Sequence, residues 1–197
     1  MSDPKQLLRT CYRNIDGFEI AARDVRAVAR SKGSSIYGEL MPSATIRLLA
    51  ALELDRDDVL YDLGAGVGKV VLLAAATTDV RRAIGVELAE SRVEQAQRAF
   101  TAARRIGFPG VRRAAMVHAD LLSVDMQDAT VAYTCSTAFS SAFMRKLAKR
   151  LAALPKLRLL ASLQDLDPHP AFEPLRSLRV DASWRRRTTV HVYRRVR

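Results

Sequence analysis

The sequence predicts an α/β protein: a Rossmann-like, seven-stranded, mostly parallel sheet with an N-terminal helical extension and a C-terminal antiparallel hairpin. Three observations carry this. From residue 59 onward, short apolar runs alternate with amphipathic helical stretches. The run at 59–63 passes through glycines at 64, 66 and 68 directly into V-V-L-L-A-A-A. Near the end, two alternating stretches are separated only by Arg185-Arg186-Arg187, too few residues for a parallel crossover.

The N-terminal elements come first. Residues 3–31 read as one or two helices, the second with Phe18, Ala21, Ala22, Val25, Val28 and Ala29 on one face and Arg23, Arg26 and Arg30 mostly off it. Ser31-Lys32-Gly33-Ser34-Ser35 breaks that pattern, so residues 1–35 form an extension and 36–197 the main domain. Ile36 to Leu40 follows, and Pro42-Ser43 opens a helix carrying Ile46, Leu49, Ala50 and Leu52.

The sheet begins at 59–63, an apolar run suited to burial on both faces. A helix near 67–77 leads to a second strand, 83–86, which ends at Glu87. The helix from about 89 to 105 places Val93, Ala96, Ala99, Phe100 and Ala103 inward. A third strand near 113–118 leads to Asp120, and a fourth, 130–134, to Cys135. A helix near 140–153 and a fifth strand at 157–163 complete the alternation. Leu178, Val180, Ala182 and Trp184, then Val190 and Val192, alternate with polar residues and form the hairpin.

Composition narrows the function classes. With 197 residues, 49% apolar and 27% charged, the chain suits one globular domain. No apolar run is long enough to span a bilayer and M-S-D-P-K-Q has no signal core, so the expected location is the cytoplasm. Two cysteines and three scattered histidines suggest neither a disulfide framework nor a metal site. A net charge of +11 favours acidic partners, nucleic acid among them, although only 6% of residues are aromatic.

In such a sheet the ligand lies beyond the carboxyl ends of the strands, and the strand ends nominate the site. The first offers Asp62, Gly64, Gly66 and Gly68, with Lys69 opening the helix. A dinucleotide fingerprint would place its third glycine at 69, and 69 is lysine. Asp62 is a poor neighbour for a pyrophosphate and a good one for a ligand bearing an ammonium and a sulfonium; with the glycines it gives D-x-G-x-G-x-G, which resembles motif I of the class I methyltransferases and so implies S-adenosylmethionine as the cofactor. Glu87, 21 residues after Gly66, can take both ribose hydroxyls. Asp120 with Leu121 offers an acceptor for an adenine amino group beside an apolar wall, and Thr134, Cys135 and Ser136 lie where a methyl group would emerge. Taken singly, each acid could instead cap a helix or turn.

The terminal hairpin also resembles the ending of the class I methyltransferases. Y-G-E-L at 37–40, D-L-G-A-G-V-G-K-V-V-L-L-A-A at 62–75, G-V-E-L at 85–88, H-A-D-L-L at 118–122 and A-F at 138–139 resemble the non-SET histone lysine methyltransferases of the disruptor-of-telomeric-silencing type. Short prokaryotic protein lysine methyltransferases are a comparable match. The resemblance implies that Tyr37, Gly38 and Glu39 form a loop over the methionine end of the cofactor. It also implies that Glu87 binds ribose, that Asp120 and Leu121 hold adenine, and that residues 134–139 form a lysine channel. Where that family has N-N-F-A-F this chain has Cys135-Ser136-Thr137-Ala138-Phe139, so its asparagine and one channel aromatic are replaced.

The expected function is methylation of protein lysine, with Tyr37, Cys135, Ser136 and Phe139 shaping the channel and Thr134 and Ser136 able to bond the amine. The alternatives are an RNA or small-molecule methyltransferase, or a cofactor-binding module without activity.

Overall fold

The computed structural model describes residues 3–30 and 38–196. Tyr37 lies outside them. Two N-terminal helices, α1 (Pro4–Cys11) and α2 (Ala22–Arg30), precede α3 (Pro42–Ala51). There follow β1 (Val59–Leu63), α4 (Lys69–Thr77), β2 (Arg82–Glu87), α5 (Glu90–Arg105), β3 (Ala114–His118), β4 (Val131–Thr134), α6 (Ser141–Ala152) and β5 (Leu159–Ser162). The hairpin is β6 (Phe172–Val180) and β7 (Thr188–Arg195).

The strand order is β3-β2-β1-β4-β5-β7-β6. Pairings among the first five strands are parallel, and β7 runs antiparallel to both β5 and β6. The order reverses between β1 and β4, so their carboxyl ends flank the crevice of the switch point. Every residue of β1 is buried, Asp62 along with its four apolar neighbours, as expected of a central strand covered on both faces.

Two apolar layers cover the sheet. One joins Leu48 and Leu49 of α3, Val71 to Ala75 of α4 and Phe100 of α5 to Leu60, Tyr133, Val190 and Val192. The other packs Met144, Leu147 and Leu151 of α6 against Tyr61, Ile84, Leu160 and Tyr193. Leu7, Leu8, Cys11 and Tyr12 belong to the first layer, so α1 is part of the same core as the sheet.

Three readings of the sequence need correction. Phe18 stands before α2 and is 58% exposed, in a turn closed by its N–H donating to Asp16 Oδ1. Val25 is also exposed, and among the described side chains of α2 Asp24 and Val28 are buried. Asp24 turns inward because its carboxylate accepts from both the N–H and the hydroxyl of Ser91 at the start of α5. In the hairpin, β6 begins at Phe172, and Ala182 and Trp184 fall in the connection that follows it. β6 is the sheet's edge strand and mostly exposed, so apolar alternation does not mark it.

Candidate active site

The site grows from the end of β1. Gly64, Gly66 and Gly68 all have positive φ, at 82°, 55° and 74°, a region side-chain-bearing residues avoid. The N–H groups of Gly64 and Ala65 both donate to Val86 O of β2, at 2.9 and 3.0 Å. The Gly66 N–H donates to Glu87 Oε2 at 2.8 Å. The other Glu87 oxygen accepts from the N–H groups of Leu88 and Ala89, at 3.0 and 2.9 Å. The tips of β1 and β2 are thereby joined through one buried carboxylate.

Asp62 is 2% exposed, and its carboxylate makes no hydrogen bond with any described residue. Burial, and then the charge of Glu87, push its carboxyl up to about 8 from the ordinary 3.8. A buried, unpaired carboxylate is costly unless a cation or donor meets it.

Beside it, Lys69 at the first turn of α4 forms an ion pair with Glu39, Nζ to Oε1 2.6 Å. The Lys69 ammonium also lies 5.6 Å from the centre of the Tyr12 ring. Gly38 and Glu39 are held by the hairpin connection. Ser183 N–H donates to Glu39 O at 2.8 Å, the Glu39 N–H donates to Ser183 Oγ, and Leu40 bridges Ala182. A Cβ on Gly38 would clash with the Trp184 ring, so any larger residue there would have to displace the indole.

Cys135, beyond β4, donates its thiol to Gly38 O at 3.4 Å. Burial, and then Asp62 when it is ionised, push this thiol up to about 12, so it is protonated at neutral pH. Phe139 packs over Gly64, its ring 3.3 Å from where a Cβ would stand, and tilts against Phe143 at 4.7 Å between centroids. The glycine loop thus meets Glu87 through Gly66 and Phe139 through Gly64, while the Gly38–Glu39 segment meets Cys135 and Lys69.

Four expected residues are placed differently. Thr134 is fully buried, and its hydroxyl donates to Leu63 O at 3.0 Å, tying β4 to β1. Ser136 is also fully buried, its Oγ 2.9 Å from Ser162 Oγ and accepting from Gln164 N–H. Both hydroxyls brace the strand ends through these contacts. Asp120 Oδ1 accepts from Leu122 N–H at 2.8 Å, which is the turn-capping arrangement. Leu121 is buried in the α6-side layer rather than forming an open wall. Tyr37 lies outside the described residues.

Sequence reasoning missed Tyr12, Trp184 and Gln164. The Tyr12 hydroxyl donates to Val67 O, inside the glycine loop, at 2.9 Å. Gln164 Nε2 donates to Ser136 O and Phe139 O, shaping the 135–139 segment from beyond β5. A polar residue directly after the fifth strand was the available signal for Gln164. Nothing local marks Tyr12, whose partner is 55 residues away. Among the described residues no group of three or more His, Cys, Asp or Glu is arranged to hold a metal ion, and no helix is long and apolar enough to cross a membrane.

This strand order, a single reversed strand and an acid-led glycine loop define the class I methyltransferase fold. The crystal structure of an RNA methyltransferase from Salinibacter ruber in complex with S-adenosyl-L-homocysteine superposes with a TM-score of 0.58, at 25% identity, over 78% of this chain and 92% of that one. A mitomycin 7-O-methyltransferase superposes at 0.57 with 16% identity, over 78% of this chain and 54% of that one, and shows the fold alone. Residues 21–172 match the family of the histone methylation protein DOT1, and the chain belongs to that family.

Two relatives are informative. A protein-lysine N-methyltransferase of Saccharolobus islandicus is 34% identical over 85 residues, 43% of this chain and 50% of that protein. A histone-lysine N-methyltransferase, H3 lysine-79 specific, of Caenorhabditis elegans is 34% identical over 67 residues, 34% of this chain and 7% of that protein. The chain thus aligns with about half the length of the first relative and a small part of the second.

Proposed function

We propose that this chain is an S-adenosylmethionine-dependent methyltransferase that acts on lysine side chains of protein. The observation that carries the reading is Asp62, a buried carboxylate without a partner among the described residues, at the end of β1 beside the glycine loop.

The residues fit the cofactor. Asp62 supplies a negative site for its cationic end, and the glycines at 64, 66 and 68 admit a ligand close to the backbone. Glu87 keeps lone pairs for ribose hydroxyls while bonding Gly66. Lys69 and Glu39 form a pair of opposite charges that complements a zwitterionic amino-acid end. When bound, the cofactor supplies an electrophilic methyl group on a sulfonium.

The chain's own part is positioning and exclusion of water. Phe139 and the Gly38–Cys135 contact wall the mouth. An amine entering between them leaves water, which lowers the affinity of lysine for its proton from an ordinary value of roughly 10.4. With the Cys135 thiol held protonated, the proton leaves to solvent before the amine enters. The relatives named as protein-lysine and histone-lysine methyltransferases support lysine as the acceptor.

A second reading, methylation of RNA, is favoured by one observation. Arg185, Arg186 and Arg187 are exposed in the connection whose Trp184 packs on Gly38, which places positive charge beside the same mouth. Calorimetry with S-adenosylhomocysteine, with NADH as the control, tests the cofactor. Binding of NADH with S-adenosylhomocysteine ignored would overturn the reading.

A further inference from the structure

The N-terminal segment touches the cofactor crevice at the roots of both loops that build it. At the first loop, the buried Tyr12 hydroxyl donates to Val67 O at 2.9 Å, and Val67 lies between Gly66 and Gly68. At the second, buried Arg92 donates from Nε to Gly17 O at 3.1 Å, and Asp24 accepts from the Ser91 N–H at 2.9 Å. Ser91 and Arg92 open α5, directly after the Glu87 turn.

The Val67 contact matters most. Within the loop the Gly68 N–H donates to Ala65 O at 2.9 Å, and two side chains from outside it hold the stretch between Gly66 and Gly68. Glu87 grips this stretch from the β2 side through the Gly66 N–H. Tyr12 grips it from the α1 side through the Val67 carbonyl. The Tyr12 ring also lies beneath the Lys69 ammonium, which pairs with Glu39. One side chain of the extension therefore meets the loop and the cation that follows it.

We infer that Tyr12 is a positioning residue for the cofactor: its hydroxyl sets the Gly66–Gly68 backbone and its ring sets Lys69, so the N-terminal segment is a working wall of the site. The inference rests on the cofactor reading above. It requires that Tyr12 act through the loop, without touching the ligand.

The test is calorimetric titration of S-adenosylhomocysteine into the full chain and into Tyr12→Phe, with melting temperatures recorded for each. Tyr61→Phe is the matched control, because it also removes one phenol hydrogen bond, Tyr61 Oη to Asp128 Oδ1 at 2.8 Å, but within the α6-side layer. Tyr12→Phe is expected to raise Kd about three- to tenfold, the range for losing one hydrogen bond. Tyr61→Phe is expected to lower the melting temperature and leave Kd unchanged. In a transfer assay the Tyr12→Phe loss should fall on KM for the cofactor and not on kcat. Tyr12→Met, which removes both the hydroxyl and the ring beneath Lys69, gives the second reading should Tyr12→Phe fold poorly, and is expected to raise Kd at least as much. Parental Kd in either folded Tyr12 variant would overturn the inference and leave the cofactor reading intact. A parent chain that does not bind S-adenosylhomocysteine would overturn both.

Discussion

Glu87 Oε2 accepts the Gly66 N–H at 2.8 Å, so the acid that ends β2 is built into the glycine loop that ends β1. Because Glu87 also accepts from Leu88 and Ala89, its removal leaves three backbone N–H groups without this partner. Glu87→Ala should weaken cofactor binding by about 1–3 kcal/mol and also lower the melting temperature. Calorimetry beside a thermal melt checks both, and an unchanged affinity would remove Glu87 from the ribose role.

Asp62 gives the site a pH dependence. Its carboxyl is pushed up to about 8, so the free protein holds a proton there at neutral pH. A bound cation favours the carboxylate, so binding releases that proton. Affinity should therefore rise with pH and level off above about 8. For stability the sign is reversed. Between roughly 4 and 8 the folded chain keeps a proton that the unfolded chain loses, so this contribution is present at low pH and is lost as pH rises through 8. Asp62→Asn should bind more weakly and flatten both profiles. Calorimetry and melts from pH 6 to 9 measure them; a parent with no slope in affinity would contradict the assignment.

Glu39→Gln breaks the 2.6 Å pair with Lys69, whose partners are both partly solvated. Its stability cost should stay within about 1 kcal/mol. Cofactor binding should weaken and methyl transfer should fall strongly. A variant that melts much earlier yet binds with parental affinity would make the Gly38–Leu40 segment scaffold only.

At the opposite end of the sheet, buried Asp58 accepts from Arg158 Nε at 2.9 Å, from Arg158 Nη2 at 2.6 Å and from Thr130 Oγ1 at 2.7 Å. Arg158→Ala leaves that carboxylate buried with fewer donors and should cost about 2 kcal/mol, read by chemical denaturation. Cofactor affinity should not change, since neither residue is near the crevice. A loss of affinity without a loss of stability would contradict this.

The legible part of the fold was the part dictated by two-sided burial. β1, β2, β4 and β5 are buried apolar runs, and their ends brought Asp62, the glycines and Glu87 together as spacing suggested. Polarity alone could not show that Thr134 and Ser136 bond neighbouring strand ends, because a hydroxyl at a strand end can as readily satisfy a neighbouring strand as face a ligand. It misled on α2, where Asp24 rather than Val25 turns inward to meet Ser91. β6 was obscured because an exposed edge strand needs no apolar period. Tyr12 and Trp184 reach the site only through tertiary packing.

Methyl transfer to protein lysine is measured with cofactor carrying a labelled methyl group. The chain is incubated with a cell lysate, portions are treated with protease or nuclease, and labelled protein is hydrolysed for amino-acid analysis. The expected result is label that survives nuclease, is released by protease and is recovered as methyl-lysine, with loss of the signal in Asp62→Asn. Label released by nuclease, or absent from methyl-lysine, would contradict it.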